Sequence, residues 1–176
     1  VIVLYSSNPR WTAARGPELD RFLARGGGLV LIHYAVNGHG DVESLAERIG
    51  LASQGGKIKF RHGPLAVDFS KSKHPIARNF GTLRLVDESY WKLRGKPESI
   101  DAIGTGVEEG EPRPLFWARE AAPGKGRVFV SIPGHYSWTF DDPLFRLLVL
   151  RGIAWTAGES VDRFNGLITV GARMTE

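Results

Sequence analysis

Three short runs, residues 1–5 (VIVLY), 29–33 (LVLIH) and 128–132 (VFVSI), are almost wholly apolar, with no polar alternation along them. Strands of this kind are buried on both faces, as in a parallel sheet covered by helices. The first run leads into a Ser6-Ser7-Asn8-Pro9 loop, and the stretch between it and the second has the marks of a helix. Gly16-Pro17-Glu18 places proline in a first turn, Leu19, Phe22 and Leu23 fall on one face, and Gly26-Gly27-Gly28 ends the pattern. Asp41 is placed to cap a second helix, whose apolar face is Val42, Leu45, Ala46 and Ile49 and whose stop is Gly50. Strand, helix, strand, helix in this order implies a parallel sheet with right-handed crossovers.

From residue 57 to 119 the texture changes to short alternating segments at 58–60, 65–69, 83–86, 102–104 and 115–119, read as an antiparallel ribbon inserted into the parallel sheet. The polar stretch 106–113 is the expected tip between two of them, and Gly124-Lys125-Gly126 is a turn before the third buried run. Asp142-Pro143 then opens a long helix through Leu144, Phe145, Leu147, Leu148, Ile153 and Trp155, closed by Gly158. The tail from 160 to 176 is weakly patterned, with one candidate strand at 167–170. With no repeat and no linker, 176 residues make one domain, 1–176. The apolar strand starting at residue 1, with no charged leader before it, is the expected mark of a fragment of a longer chain, so cytoplasmic and periplasmic placement both stay open.

The composition removes several function classes. No cysteine is present, so disulfides, thiolate metal sites and cysteine nucleophiles are excluded. The net charge of +4 is spread along the chain instead of gathered in a basic run, and no nucleic-acid partner is expected. The longest apolar stretches fall far short of the ~20 residues that cross a bilayer. No Gly-x-Gly-x-x-Gly or phosphate loop follows a strand, so no nucleotide cofactor is expected, and the Gly-x-Ser-x-Gly elbow of serine hydrolases is absent.

In an open α/β sheet, ligands bind where loops leave the carboxyl ends of the strands. His33-Tyr34 ends the second buried run and His135-Tyr136 follows the third, which carries two imidazoles to one rim. Imidazole suits both proton transfer and metal ligation near neutral pH. His62 and His74 are read as lying in loops of the ribbon stretch, and the Asp87-Glu88 pair as following the strand-like segment 83–86. Folded over the same crevice, they add a carboxylate and further imidazoles, enough for an acid and a base or for a divalent metal. Taken singly, a histidine reads more readily as a loop residue bonded to backbone, two at strand ends bring the readings level, and no His-x-x-x-His spacing marks a metal. Tyr34, Tyr136 and Trp138 offer flat faces with polar tips that suit sugar rings, and Tyr90, Trp91 and Trp117 lie in the same cluster. Trp117 and Trp155 are read as core, and His39 as a loop residue.

Seven pieces then stand in order: Gly26-Gly27-Gly28 through His33, Phe60-Arg61-His62, His74-Pro75-Ile76, Asp87-Glu88-Ser89-Tyr90, Pro114 through Trp117 to Arg119, Gly126-Arg127-Val128-Phe129 and Gly134-His135. Together they resemble the trehalose-utilisation, or ThuA-like, family, from the first residue to about Gly158. The resemblance implies a flavodoxin-like layered sheet similar to that of class I glutamine amidotransferases. It also implies bacterial carbohydrate metabolism, with a trehalose-related disaccharide or its keto form as substrate. His33, His62, His74, Glu88 and His135 match family motif positions. His33 stands near the place where that superfamily carries its cysteine, and Tyr34 replaces a smaller residue, which narrows the pocket. The family pattern has further elements ahead of residue 1.

Two readings follow. In the first, an enzyme acts on a sugar or keto-sugar, with His33, His135 and Glu88 as the acid–base or metal-assisted centre and His62, His74, Tyr34, Tyr136 and Trp138 binding substrate. In the second, the chain is a non-catalytic carbohydrate-binding or interaction module of a larger protein. A homo-oligomer or other domains of the same chain are the expected protein partners.

Overall fold

The structure, a computed structural model, describes residues 1–7, 10–120 and 125–169. Seven strands form one mixed sheet in the order β1-β2-β9-β8-β7-β4-β5. The parallel part is β1 (Ile2–Tyr5), β2 (Gly28–Ile32) and β9 (Arg127–Ser131). The antiparallel part is β8 (Glu111–Glu120), β7 (Asp101–Glu108), β4 (Lys59–Asp68) and β5 (Thr82–Trp91). A small second sheet joins β3 (Leu51–Ala52) to β6 (Arg94–Gly95).

Helices cover both faces, as the unbroken apolar runs of β2 and β9 require. On one side lie α1 (Gly16–Ala24) and α2 (Val42–Ile49), and on the other α3 (Pro143–Thr156). Alternation along β8 divides its aromatic residues between the layers. Trp117 points to α2, where its indole N–H donates to the Ile49 carbonyl at 2.8 Å, and Phe116 points to Phe129 and the Phe145 ring of α3. Gly152 lets α3 lie directly on Phe129, for a Cβ there would stand 2.2 Å from the Phe129 ring. The Asp142 carboxylate caps α3 by accepting from the backbone N–H of Leu144 at 2.8 Å and Phe145 at 3.0 Å.

The structure departs from the sequence reading in instructive places. β1 is a strand but not a buried one: it lies at the sheet edge and its residues are 40–55% exposed. Asp41 precedes α2 without capping it, because its carboxylate accepts instead from the Ala13 N–H at 3.0 Å. Segments 58–60 and 65–69 merge into the one strand β4, which passes through Gly63 at φ 138° and Pro64. The tip at 106–113 is shorter than expected. β7 and β8 run up to a two-residue turn at Glu109-Gly110, both with positive φ, as hairpin twist demands. Residues 167–169 form no strand, a 3-10 turn occupying Asn165–Leu167, and Val170 lies outside the described residues, as do Asn8-Pro9 and Gly124.

The close approach at Gly152 sets an expected outcome. Gly152→Ala should lower unfolding stability by about 1–3 kcal/mol through overpacking against Phe129, read as a shift of the denaturant midpoint with an unchanged slope.

Candidate functional site

β2 delivers His33 to the rim immediately after its last residue. The backbone there enters the left-handed region, with φ 56°, and turns into a 3-10 segment at His33–Val36. A non-glycine residue in this region costs about 1–2 kcal/mol, and the buried contacts of the imidazole hold it in place. Nδ1 lies 2.9 Å from the Ile132 carbonyl, which can only accept, so Nδ1 carries a proton in either state of the ring, and Nε2 faces the site as a lone pair when the ring is neutral and as a donor when it is charged.

Nε2 meets three groups: Tyr90 Oη at 3.0 Å, His135 Nδ1 at 3.0 Å and Glu88 Oε2 at 3.2 Å. Glu88 Oε2 also lies 2.9 Å from His135 Nδ1 and accepts from the Tyr90 hydroxyl at 3.1 Å. The other carboxylate oxygen, Oε1, faces His62 Nε2 at 3.5 Å, and His62 Nδ1 lies 2.9 Å from the Tyr136 hydroxyl. Contrary to the reading that placed His62 in a loop and Asp87-Glu88 after a strand, His62 lies inside β4, and Asp87 and Glu88 lie buried inside β5. Strand alternation puts Glu88 and Tyr90 on one face and Asp87 on the other.

Burial pushes the Glu88 carboxyl up. Hydrogen bonds and charge from His33, with the Tyr90 hydroxyl and His135, outweigh that and hold it below the ordinary carboxylate value. The Tyr90 phenol, buried beside that carboxylate, is pushed far above its ordinary range and is a neutral donor at any physiological pH. When the His33 ring is neutral, its Nε2 lone pair and Glu88 Oε2 stand 3.2 Å apart. Their repulsion is relieved by a shared proton or by a cation. The donor set suits a cation: two imidazole nitrogens and a carboxylate oxygen lie within 4.8 Å of one another. Four-coordinate ligands at ~2.0–2.2 Å from a zinc-like ion stand ~3.3–3.6 Å apart, close to what these side chains already adopt.

Asp87 organises the loop that carries His135. Its carboxylate accepts from the backbone N–H of Gly134 at 3.1 Å and of His135 at 2.9 Å, from its neighbour Glu88 N–H at 2.6 Å, and from the Thr139 hydroxyl. Beside the centre opens a cavity of about 740 Å³, walled by His33, Glu88, Tyr90 and His135 and extended by Tyr34, Asn37, Phe60 and the Tyr5-Ser6-Ser7 end of β1. Tyr34 therefore stands in the cavity wall. Tyr136 and Trp138 stand beyond His135, stacked at 4.1 Å and 13°, with the Trp138 indole N–H donating to the Val86 carbonyl at 2.9 Å.

His33, His62, Glu88 and His135 are brought together, with Tyr34, Tyr136 and Trp138 around them; His74 is not. Its ring packs edge-on against Trp155 and its Nδ1 accepts from the Ile76 N–H at 3.3 Å, beside Asp101 and Glu120 in a separate hollow. Burial holds its imidazole below the ordinary value. It fastens the 3-10 turn at Pro75–Ala77 against α3. Asp87 as loop anchor and Tyr90 as hydroxyl donor were not assigned from the sequence. Placing residues 87–90 within a strand is the signal that would have put Tyr90 beside Glu88.

The model of a family described as trehalose utilisation, ThuA, matches residues 1–156. A ThuA-like protein from Parabacteroides merdae ATCC 43184 superposes with a TM-score of 0.70 at 21% identity, covering 97% of this chain and 72% of that one. A second, from Bacteroides uniformis ATCC 8492, gives 0.66 at 14% identity over 90% and 71% of the two chains. A β-galactosidase from Rahnella sp. R3 shares the fold over 81% of this chain and 20% of its own, with a TM-score of 0.53 at 12% identity. Comparison with curated proteins gives no match. The layered α/β sheet is consistent with a flavodoxin-like fold.

Asp87→Ala should remove the acceptor of three backbone N–H groups and of the Thr139 hydroxyl, at a cost of about 2–4 kcal/mol, measurable by chemical denaturation. The lowered Glu88 value sets a pH dependence. A depressed carboxylate stabilises the fold above its ordinary value of 4.5, and this contribution disappears as pH falls through the lower folded value. The stability advantage of the unmodified chain over Glu88→Gln is therefore expected to be full at pH 6 and to shrink toward pH 3, as urea titrations across that range would read.

Proposed function

This chain belongs to the ThuA, trehalose-utilisation, family, and from that premise we propose that it is an enzyme of bacterial carbohydrate metabolism. It acts on a sugar or keto-sugar of the trehalose-related disaccharide class, with His33, Glu88 and His135 as its catalytic centre. The observation that carries the reading is the crowding of one carboxylate oxygen, one lone-pair imidazole nitrogen and a second imidazole at 2.9–3.2 Å beside a cavity of about 740 Å³. A carboxylate and two imidazoles gathered around one point form a set that can hold and exchange a proton or bind a divalent cation.

In this reading His33 keeps its tautomer through Ile132 and offers Nε2 as base or ligand. Glu88 stays ionised and orients His135, and Tyr90 donates its hydroxyl to whichever oxygen develops charge. His62, on the free oxygen of Glu88 and bonded to Tyr136, stands at the solvent side and binds substrate with Tyr34, Tyr136 and Trp138. A divalent cation fits the His33, His135 and Glu88 atoms and would supply Lewis acidity.

Elemental analysis of the purified chain is expected to find about one divalent ion per molecule, lost in His33→Ala and His135→Ala. The same variants should lower turnover on a panel of disaccharides and keto-disaccharides by at least ~10²-fold. Turnover left intact in both variants would remove the assigned roles. Saccharide binding with no product after long incubation would establish the carbohydrate-binding module instead.

A further inference from the structure

We propose that the β4–β5 ribbon carries a second subsite, a flat apolar ledge for the ring that departs from the reacting sugar, so that the substrate straddles the His–Glu centre; this rests on the sugar-active reading above. The register pairs Phe60 with Tyr90, His62 with Glu88 and Pro64 with Val86. These three pairs lie on one face of the ribbon, in steps of ~6.6–6.8 Å, about the span of one sugar ring. The first pair lines the cavity and the second carries Glu88 of the centre. The third lies outside, on the solvent side.

That outer rung is apolar and uncovered, Val86 being 53% exposed. Beside it stands Trp138, 52% exposed yet fixed at two points. Its N–H is bonded to the Val86 carbonyl at 2.9 Å, its ring lies flat on Tyr136 at 4.1 Å, and Tyr136 is in turn bonded to His62 at 2.9 Å. An exposed indole held rigid by its neighbours has already lost the rotamer freedom that binding would otherwise cost. Isolated exposed apolar residues need no explanation, but a fixed aromatic stack continuous with a reactive centre is the kind of surface that holds the flat face of a ring. His135, which walls the cavity, also stands edge-on to His62 at 4.9 Å and to Tyr136 at 4.5 Å, so cavity and ledge meet at the centre itself. The bond to be changed therefore lies between a moiety in the cavity and a ring on the ledge. The ledge reads only an apolar face, so an aryl group serves there as well as a second sugar.

The test compares phenyl with methyl α-D-glucopyranoside by calorimetric titration of the purified chain. The two share the sugar and differ only in what reaches the ledge. The phenyl compound is expected to bind roughly tenfold tighter. This ratio should fall to about one in Trp138→Ala and in Val86→Lys, and survive largely in Trp138→Phe. Val86→Lys changes an exposed side chain without touching the carbonyl that holds the indole, so it gives an answer even where Trp138→Ala fails to fold. Equal affinity for the two glucosides, or a ratio that persists in Val86→Lys, would overturn the ledge and leave the sugar-active reading standing. Binding of neither glucoside would overturn both.

Discussion

The hydrogen bond from His33 Nδ1 to the Ile132 carbonyl joins the ends of two neighbouring parallel strands, β2 and β9. Because a carbonyl cannot donate, it also fixes which nitrogen faces the centre. Everything at the site depends on that choice. With the opposite neutral tautomer, Nε2–H would donate to Glu88 while a bare Nδ1 faced the Ile132 carbonyl, two acceptors opposed with no hydrogen between them. With the tautomer present, His33 and Glu88 compete for one proton or share one cation. The parallel pairing of β2 with β9, forced by apolar runs that demand cover on both faces, is therefore also what gives the site its character.

The other half of the centre arrives on a different body of structure, the antiparallel ribbon. Asp87 and Glu88 are neighbours in sequence that alternation sends to opposite faces. One gathers backbone N–H groups from the His135 loop and the other gathers imidazoles. A buried carboxylate is tolerable only with several donors, and Asp87 has four. The strained backbone at His33 is held in the same way, by contacts that leave the ring no other place to sit.

Most of the fold was legible because its signals are local. Pro17, Pro143, Gly50 and Gly158 punctuate the helices, and unbroken apolar runs mark β2 and β9. β1 carries the same run yet lies open, since periodicity reports what a strand can bury and not what is there to bury it. Asp41 has the right type and place for a cap, but the Ala13 N–H claims its oxygen, a partner 28 residues away that no local pattern reveals. In the site, His33 and His135 could be placed together from the strand-end rule alone. Glu88 and His62 joined them only through ten consecutive pairs of β4–β5 register, which alternating segments broken at Gly63-Pro64 did not disclose. His74 shares the residue type of the others and nothing else. The proline after it made a turn, and the turn took the imidazole as its cap.

The open flank of β1 has a colloidal consequence. Among the described residues β1 is paired on one side only, and an apolar strand in that position is a template onto which any extended segment can add. A net charge of +4 on 176 residues supplies modest long-range repulsion, and at 0.15 M ionic strength it is screened beyond about 8 Å. Dilution and low salt thus favour keeping copies of the described chain apart.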